Sequence, residues 1–485
     1  MAFVVFVVVF VFVFALLLAT TATTTHDGFG GDRINGVSFG GWLLMETSWM
    51  FDQFSFPAEN DFVQSLVAEG GVQYAVGTME NHWFGYLGND GLLDGLRDFG
   101  VTHVRIPVGY WTFDTPVTLP NGTASSSAAD IHTYGLNPEG FVTGGVNALE
   151  WMLDRLEQRN ISVLLDLHAP PGVGSQCQSY SGQQVSDVSK SFWQGKPEPS
   201  VTGCTSGSSY ASSRDPSGAT WMQVGLDIVD TMANWTAAMN RKHNGIITHF
   251  ELVNEPGLGW DGVEDTIKQY TLAAAKRVHA HFPSSSAVTT TVNFIGANEA
   301  GAGDWVASMV AAGKLPTPLV DYHFYYNWNG PTSMDKLLKE VCSVTPAGSS
   351  WAQYTGNNLS VAIGEWSLAS NLDDPAYTNF SDPHTRDFLK AFWANQMSLY
   401  ETIPGVVGQF YWTGACTLGS EAKREVERER GRERERERHT HTHRQTDRNR
   451  ERECVCVYVC LCICVCVRAR VCYSHIHRGL SVFKG

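Results

Sequence analysis

Cysteine is scarce where a folded body would use it. Of 485 residues, the first 420 hold only Cys177, Cys204, Cys342 and Cys416, and no Cys-x-x-Cys pair occurs. That excludes a disulfide-dense scaffold and gives no support to a cysteine metal site. Basic residues are also few. Before residue 421 there are 18 Lys and Arg against 39 Asp and Glu, a net charge of −21, whereas residues 421–485 carry 16 against 10, a net of +6. So acidic a body argues against nucleic acid or an anionic membrane surface as partner and suits an enzyme acting on a neutral substrate. No Gly-x-Gly-x-x-Gly follows the first apolar strand, so a dinucleotide site has no support.

The hydrophobic runs are concentrated at two places. MAFVVFVVVFVFVFALLLATTATTT opens the chain with an unbroken apolar stretch followed by small polar residues. Residues 1–22 therefore read as a signal peptide with a cleavage zone around Ala19 to Ala22. No Lys or Arg precedes the run, and its length would also serve as a signal anchor. Either reading delivers the body to a lumen or the outside. In that compartment Asn121, Asn160, Asn234, Asn358 and Asn379 become candidate glycan sites, and Cys177 with Cys204 is the simplest disulfide. The other run lies in a tail, residues 421–485, where REVERERGRERERER, HTHTH and CVCVYVCLCICVCV follow one another. Each is an alternating dipeptide of the kind a translated dinucleotide repeat produces. The tail is expected to be disordered, low in complexity and without function.

Between these ends, eight short apolar runs recur: Gly36–Trp42, Thr102–Pro107, Ser162–His168, Thr248–Asn254, Ala287–Phe294, Leu319–Tyr325, Val361–Trp366 and Val406–Trp412. Helical spacing of apolar residues separates them, as in VNALEWMLDRLEQ and again over Leu226–Met239. Continuous apolar strands alternating with helices imply a parallel sheet covered on both faces. Eight such units predict an α/β fold, a (β/α)8 barrel with long loop insertions over residues 33–416, with a doubly wound open sheet as the alternative.

In a barrel the chemistry sits at the carboxyl ends of the strands. Here those ends carry Arg105 in VRIP, Asp166 and His168 in LLDLH, Asn254 and Glu255 in ELVNEP, His323 and Tyr325 in DYHFY, Glu365 in IGEW and Trp412 in FYW. Two glutamates on the fourth and seventh strands would face each other across the mouth. Paired carboxylates flanking a bond are what glycoside hydrolysis needs, one to protonate the leaving oxygen and one to attack or to activate water. Arg105 would keep a nucleophile ionised while Glu255 stays protonated. Trp412, Tyr325, Trp366, Tyr110 and Trp111 would offer rim faces to sugar rings. A lone strand-end glutamate is more often an ion-pair partner; many compatible residues at successive strand ends reverse those odds.

ELVNEP, IGEW and VRIP together resemble glycoside hydrolase family 5. INGVSFGGWLLMETSW, HVRIPVGYW, LLDLHAPPGVGSQ, NHW and VDYHFYYNW are similar to motifs of that family's exo-β-1,3-glucanase branch, from Arg33 to Trp412. The resemblance implies Glu255 as acid/base and Glu365 as nucleophile of a retaining mechanism. It makes Arg105, His168, Asn254, His323, Tyr325 and Trp412 active-site residues. Glu46 matches a glutamate that binds the non-reducing sugar, and Asn254 would hold the 2-hydroxyl. It implies a secreted monomer that releases glucose from β-glucans, with no metal or organic cofactor.

The sequence departs from the branch in three places, one of them a long segment rich in Ser and Gly from Gln183 to Trp221 that would reshape the outer subsites. The branch's Phe clamp for the second sugar has only Tyr180 as an approximate match, and the closing helix after the last strand gives way to the repeats. Other readings are a β-1,6-glucanase, an endoglucanase or a glycosylceramidase. An inactive carbohydrate-binding protein and a misread gene product are the non-enzymatic alternatives.

Overall fold

The computed structural model describes residues 33–46, 56–126, 129–184, 188–194, 196–197, 220–282, 288–294, 301–326, 332–345, 348–370, 372 and 382–413. The N-terminal run, the tail, Cys204, Cys416 and Asn379 lie outside them. Cys177 is disulfide-bonded.

Eight strands close a barrel: β1 (Ile34–Ser38), β2 (His103–Gly109), β3 (Ser162–Ala169), β4 (Ile247–Glu251), β5 (Thr289–Val292), β6 (Leu319–Tyr322), β7 (Ser360–Trp366) and β8 (Val406–Tyr411). Each pairs in parallel with its sequence neighbours, and β8 closes onto β1 with Ile34 opposite Gly408 and Val37 opposite Tyr411. All eight expected strands are present, and the open-sheet alternative is excluded by closure.

The differences lie at the strand ends. β1 stops at Ser38, because the chain turns at Gly41 (φ 74°) and Trp42 leaves the barrel to donate its indole N–H to the Trp83 carbonyl at 2.7 Å. β4 stops at Glu251, although Leu252 N still donates to Thr291 O and Asn254 N to Leu167 O, each at 3.1 Å.

Around the barrel lie α1 (Glu59–Tyr86, interrupted at Gly71), α2 (Asp90–Asp98), α3 (Val146–Glu157), α4 (Trp221–Lys242), α5 (Glu264–His281), α6 (Ala302–Ala311), α7 (Met334–Ser343), α8 (Ala352–Thr355) and α9 (Pro383–Thr402). In α3 the buried Leu149, Met152, Leu153 and Leu156 recur at helical spacing, which is why VNALEWMLDRLE forms a helix and packs inward. Thr220 caps α4 by accepting from Gln223 N, and Asp382 caps α9 with Pro383 in its first turn.

Inside the barrel, side chains are layered. Ile34, Leu164, Leu319, Ala362 and Phe410 form an apolar floor. Because successive strand residues face opposite sides, the next inward positions on β3 and β6 are Asp166 and Asp321, and those after them are His168 and His323. A charged layer thus sits on a greasy one, and the site sits on the charged layer.

Candidate active site

Arg105, fully buried on β2, organises the charged layer. Its Nε donates to Glu251 Oε2 at 2.9 Å, Nη1 to Glu365 Oε1 at 2.7 Å and Nη2 to Asn254 Oδ1 at 2.8 Å, and Nη2 lies 3.0 Å from Asp166 Oδ2. Burial alone would weaken the guanidinium's hold on its proton. Asp166, Glu251, Glu365 and Asp321 more than offset this and raise its pKa well above the ordinary value. Room for the layer is made by Gly364 on β7, where a Cβ would fall 1.2 Å from Asp321 Oδ1. Only glycine fits.

Above Arg105 the two glutamates meet. One oxygen each of Glu255 and Glu365 and a ring nitrogen of His323 lie within 4.8 Å of one another. Glu365 accepts from Arg105 on Oε1 and from the Tyr325 hydroxyl on Oε2 at 2.8 Å. Glu255 accepts from His323 Nδ1 on Oε1 at 2.7 Å and from the Tyr180 hydroxyl on Oε2 at 2.5 Å. Its backbone is left-handed, with φ 35°, which is uncommon for a residue with a Cβ and persists only where neighbours fix it.

The protonation of Glu255 corrects the expectation from sequence. Burial works to raise its pKa, but the bond and charge of His323, the Tyr180 hydroxyl and the charge of His168 pull it down to about 2. The proton sits next door. Burial would lower the His323 pKa, yet Glu365 and Asp321 push it well above the ordinary histidine range. Its Nε2 faces the Asn293 amide at 3.1 Å and Asp321 Oδ2 at 3.5 Å.

The remaining expected residues converge on the same place. His168 Nδ1 bonds Asp166 Oδ2 at 2.6 Å, and its Nε2 lies 3.3 Å from the Asn254 amide. Trp412 stacks on the His168 ring at 5.7 Å between centroids, 11° from parallel. Glu46 is buried, and its Oε1 has no hydrogen-bond partner. Burial, then the charges of Glu365 and Glu255, raise its pKa well above the carboxylate range. A buried polar atom left unpaired in an active site suits one that a ligand hydroxyl would satisfy.

Three of the expected rim aromatics are elsewhere. Tyr110, Trp111 and Trp366 are essentially inaccessible. Trp111 stacks on Phe141 at 3.9 Å, and Trp366 donates to Gln409 Oε1 at 2.5 Å. They pack away from the mouth, Tyr110 and Trp111 on Phe141 and Trp366 on Trp393 and Tyr400 of α9, because a ring at a strand end is buried when a helix or loop covers its outer face.

The sequence reading took up Asp166 only as a strand-end residue, and it did not identify Glu251, Asp321, Asn293 or the role of Tyr180. Asp166 and Asp321 had a signal, each a lone acid in an apolar strand two residues before a site histidine, and Glu251 had a weaker one as the acid that ends its strand three residues before Asn254. Two trios, Glu255–His323–Glu365 and Glu251–Asp321–His323, come close enough for a cation. They share His323, and Arg105 donates to one carboxylate of each, Glu251 in one and Glu365 in the other.

Comparisons with known proteins agree with this geometry. The family model for cellulase (glycosyl hydrolase family 5) matches residues 67–397. The chain is 25% identical to glucan 1,3-beta-glucosidase 1 of Schizosaccharomyces pombe, over 69% of this chain and 68% of that protein. It is 24% identical to glucan endo-1,6-beta-glucosidase B of Emericella nidulans, over 80% and 81%. Among solved structures, rutinosidase from Aspergillus niger superposes with a TM-score of 0.54 at 16% identity, covering 80% of this chain and 90% of that one. That likeness concerns the fold.

Proposed function

The chain belongs to glycosyl hydrolase family 5, and from that premise we propose that it is a retaining exo-β-1,3-glucanase releasing glucose from the non-reducing end of β-1,3-glucans. The observation that carries the mechanism is the close approach of the two glutamates, an oxygen of Glu255 and one of Glu365 lying within 4.8 Å of each other, which supports the shorter of two carboxyl separations. Retaining enzymes hold their carboxyl groups about 5–5.5 Å apart and inverting ones about 6.5–9.5 Å, the latter leaving space for a water. Glu365, oriented by Arg105 and Tyr325, attacks C1 and forms a glycosyl ester. The leaving oxygen takes a proton from Glu255, which His323 resupplies across 2.7 Å. In the second half, Glu255 takes the proton of the attacking water and the ester is hydrolysed. Neither metal nor organic cofactor enters any step.

The choice of β-1,3 linkage and exo action is supported by the motifs shared with the exo-β-1,3-glucanase branch, by the fission-yeast relative's name and by Glu46. With its unpaired Oε1 beside the two glutamates, Glu46 is suited to hydroxyls of a terminal glucose. The second reading is a β-1,6-glucanase, favoured by the relative named glucan endo-1,6-beta-glucosidase B. Secretion is supported by the N-terminal apolar run and by the bonded Cys177, since disulfides persist in oxidising compartments.

NMR of early digestion products decides among these. Laminarin should give glucose first, as the β-anomer. Initial α-glucose would rule out retention, and a ladder of oligosaccharides would rule out exo action. Faster hydrolysis of a β-1,6-glucan than of laminarin would establish the second reading.

A further inference from the structure

Both oxygens of Glu255 are engaged by side chains of the protein itself. Oε1 accepts from His323 and Oε2 from Tyr180. A proton donor must present one oxygen to the leaving group, so one partner has to yield. His323 is hemmed in by Asn293, Asp321 and Glu365. Tyr180 is only half-buried, set edge-on to the His168 ring at 5.5 Å.

The loop that carries Tyr180 is sewn to the Glu255 segment. Ser175 Oγ donates to the Glu255 carbonyl at 2.7 Å, Gln176 N to Leu258 O at 2.8 Å and Gly257 N to Gly174 O at 3.3 Å. Within the loop, Ser181 Oγ accepts from Ser175 N at 3.1 Å and donates to Ser175 O at 2.9 Å. Asn60 N, near the start of α1, donates to Gly182 O at 3.1 Å. The phenol is therefore delivered to Oε2 by a braced loop.

We propose that Tyr180 is a positioning residue for the acid/base: its hydroxyl occupies, on Glu255 Oε2, the place of the leaving oxygen, and gives way when the aglycone binds. Resting on the reading of Glu255 as acid/base, this makes Tyr180 a hydrogen-bonding stand-in for the aglycone, where the family resemblance led one to expect an aromatic clamp face. While it donates, Tyr180 stabilises the carboxylate and lowers its proton affinity. The other groups acting on Glu255 are His323 after β6, His168 on β3, Tyr325 and Glu46, with Glu365 (on β7) 3.5 Å from the same His323 nitrogen, and a change of Tyr180 to Phe leaves all of them in place.

The test is the pH profile of kcat/KM for an aryl β-glucoside in Tyr180→Phe, with a thermal melt to verify folding. The alkaline limb reports the proton that Glu255 shares with His323; without the phenol donor the carboxylate competes better for it and the pair keeps it to higher pH, so the limb should move up by about one pH unit. With β-glucosyl fluoride, whose departure draws little on a proton, the variant and the wild type should show the same profile. Ser181→Ala, which loosens the loop without touching the ring, should move the limb in the same direction by less. It serves as the test where the Phe variant does not fold. An unmoved or lowered limb in a folded variant overturns the proposal and leaves Tyr180 a packing residue. Glu255→Ala separates the two levels of failure. If that variant loses the alkaline limb and azide restores turnover, an unmoved limb in Tyr180→Phe counts against Tyr180 alone; wild-type hydrolysis by Glu255→Ala would sink both.

Discussion

Glu255 and Glu365 differ in what surrounds them more than in where they sit. Glu365 receives Arg105 and Tyr325, which orient it toward C1, whereas Glu255 receives His323, a source of protons. Their replacement should therefore fail in different ways. Glu365→Gly should lose hydrolysis by at least about a thousandfold, since no ester can form, and should accept α-glucosyl fluoride as donor. Glu255→Ala should still cleave an aryl glucoside with a good leaving group, accumulate the glycosyl-enzyme, and yield β-glucosyl azide when azide is supplied. Mass spectrometry of the trapped enzyme and NMR of the azide product check both, and exchanged behaviour would reverse the roles. At this scale the sequence was legible for residues that end strands, because only polar residues at such positions break an apolar run. It was not legible for protonation. The lowered pKa of Glu255 depends on His323 and Tyr180, which lie 68 and 75 residues away.

At the scale of elements, all eight strands could be read because buried parallel strands are continuous apolar runs, and their inner faces followed from period two. Loops were less legible, since their course depends on what they pack against. Tyr110 and Trp111 illustrate this: they follow β2 in a short helical turn and are buried by the hairpin of Gly135–Leu136 with Val142–Thr143, which no local pattern announces.

The start of α1 has a consequence for stability. Glu59, buried, accepts from Met45 N at 2.7 Å and so secures the segment that bears Glu46. Burial is the larger influence, opposed by that bond, and the pKa is raised to about 8. A carboxyl whose folded pKa lies above its unfolded value favours the fold only while protonated. The contribution is complete below about pH 4.5 and is lost as pH rises to 8. Glu59→Gln, which keeps the acceptor for Met45 N, should remove this loss and gain roughly 3 kcal/mol relative to wild type at pH 7. Urea unfolding at pH 5 and pH 7 checks it. A constant difference between the two proteins at both pH values would show that Glu59 does not titrate in this range.

For the whole molecule, three histidines outside the site, His249 buried and His82 and His103 partly so, should set the acid limit. His82 bonds the carbonyls of Gly41 and Trp42, and burial lowers its pKa to about 4 in spite of them. His103 and His249 sit on β2 and β4 with ring centroids 5.7 Å apart. Burial lowers His103 to about 4, and burial together with the neighbouring His103 lowers His249 to about 3. All three folded values lie below the unfolded value of about 6.5. As pH falls below 6.5, the unfolded chain takes up protons that the folded chain refuses, so stability is complete above 6.5 and drains away down to about 3. Each site contributes about 1.4 kcal/mol per pH unit within its window, and three together are enough to exhaust a typical margin of about 5–15 kcal/mol within a few pH units. The melting temperature should therefore drop steeply between pH 6 and pH 4. His103→Asn combined with His249→Asn should flatten that drop, since the Asn amide can reach Thr102 and Thr248 where the ring Nδ1 atoms now do. The two positions are in contact, so the double variant is the proper comparison. Calorimetric scans across this range decide it. An equally steep decline in the double variant would place the acid limit in the charged layer around Arg105 and away from the histidine pair.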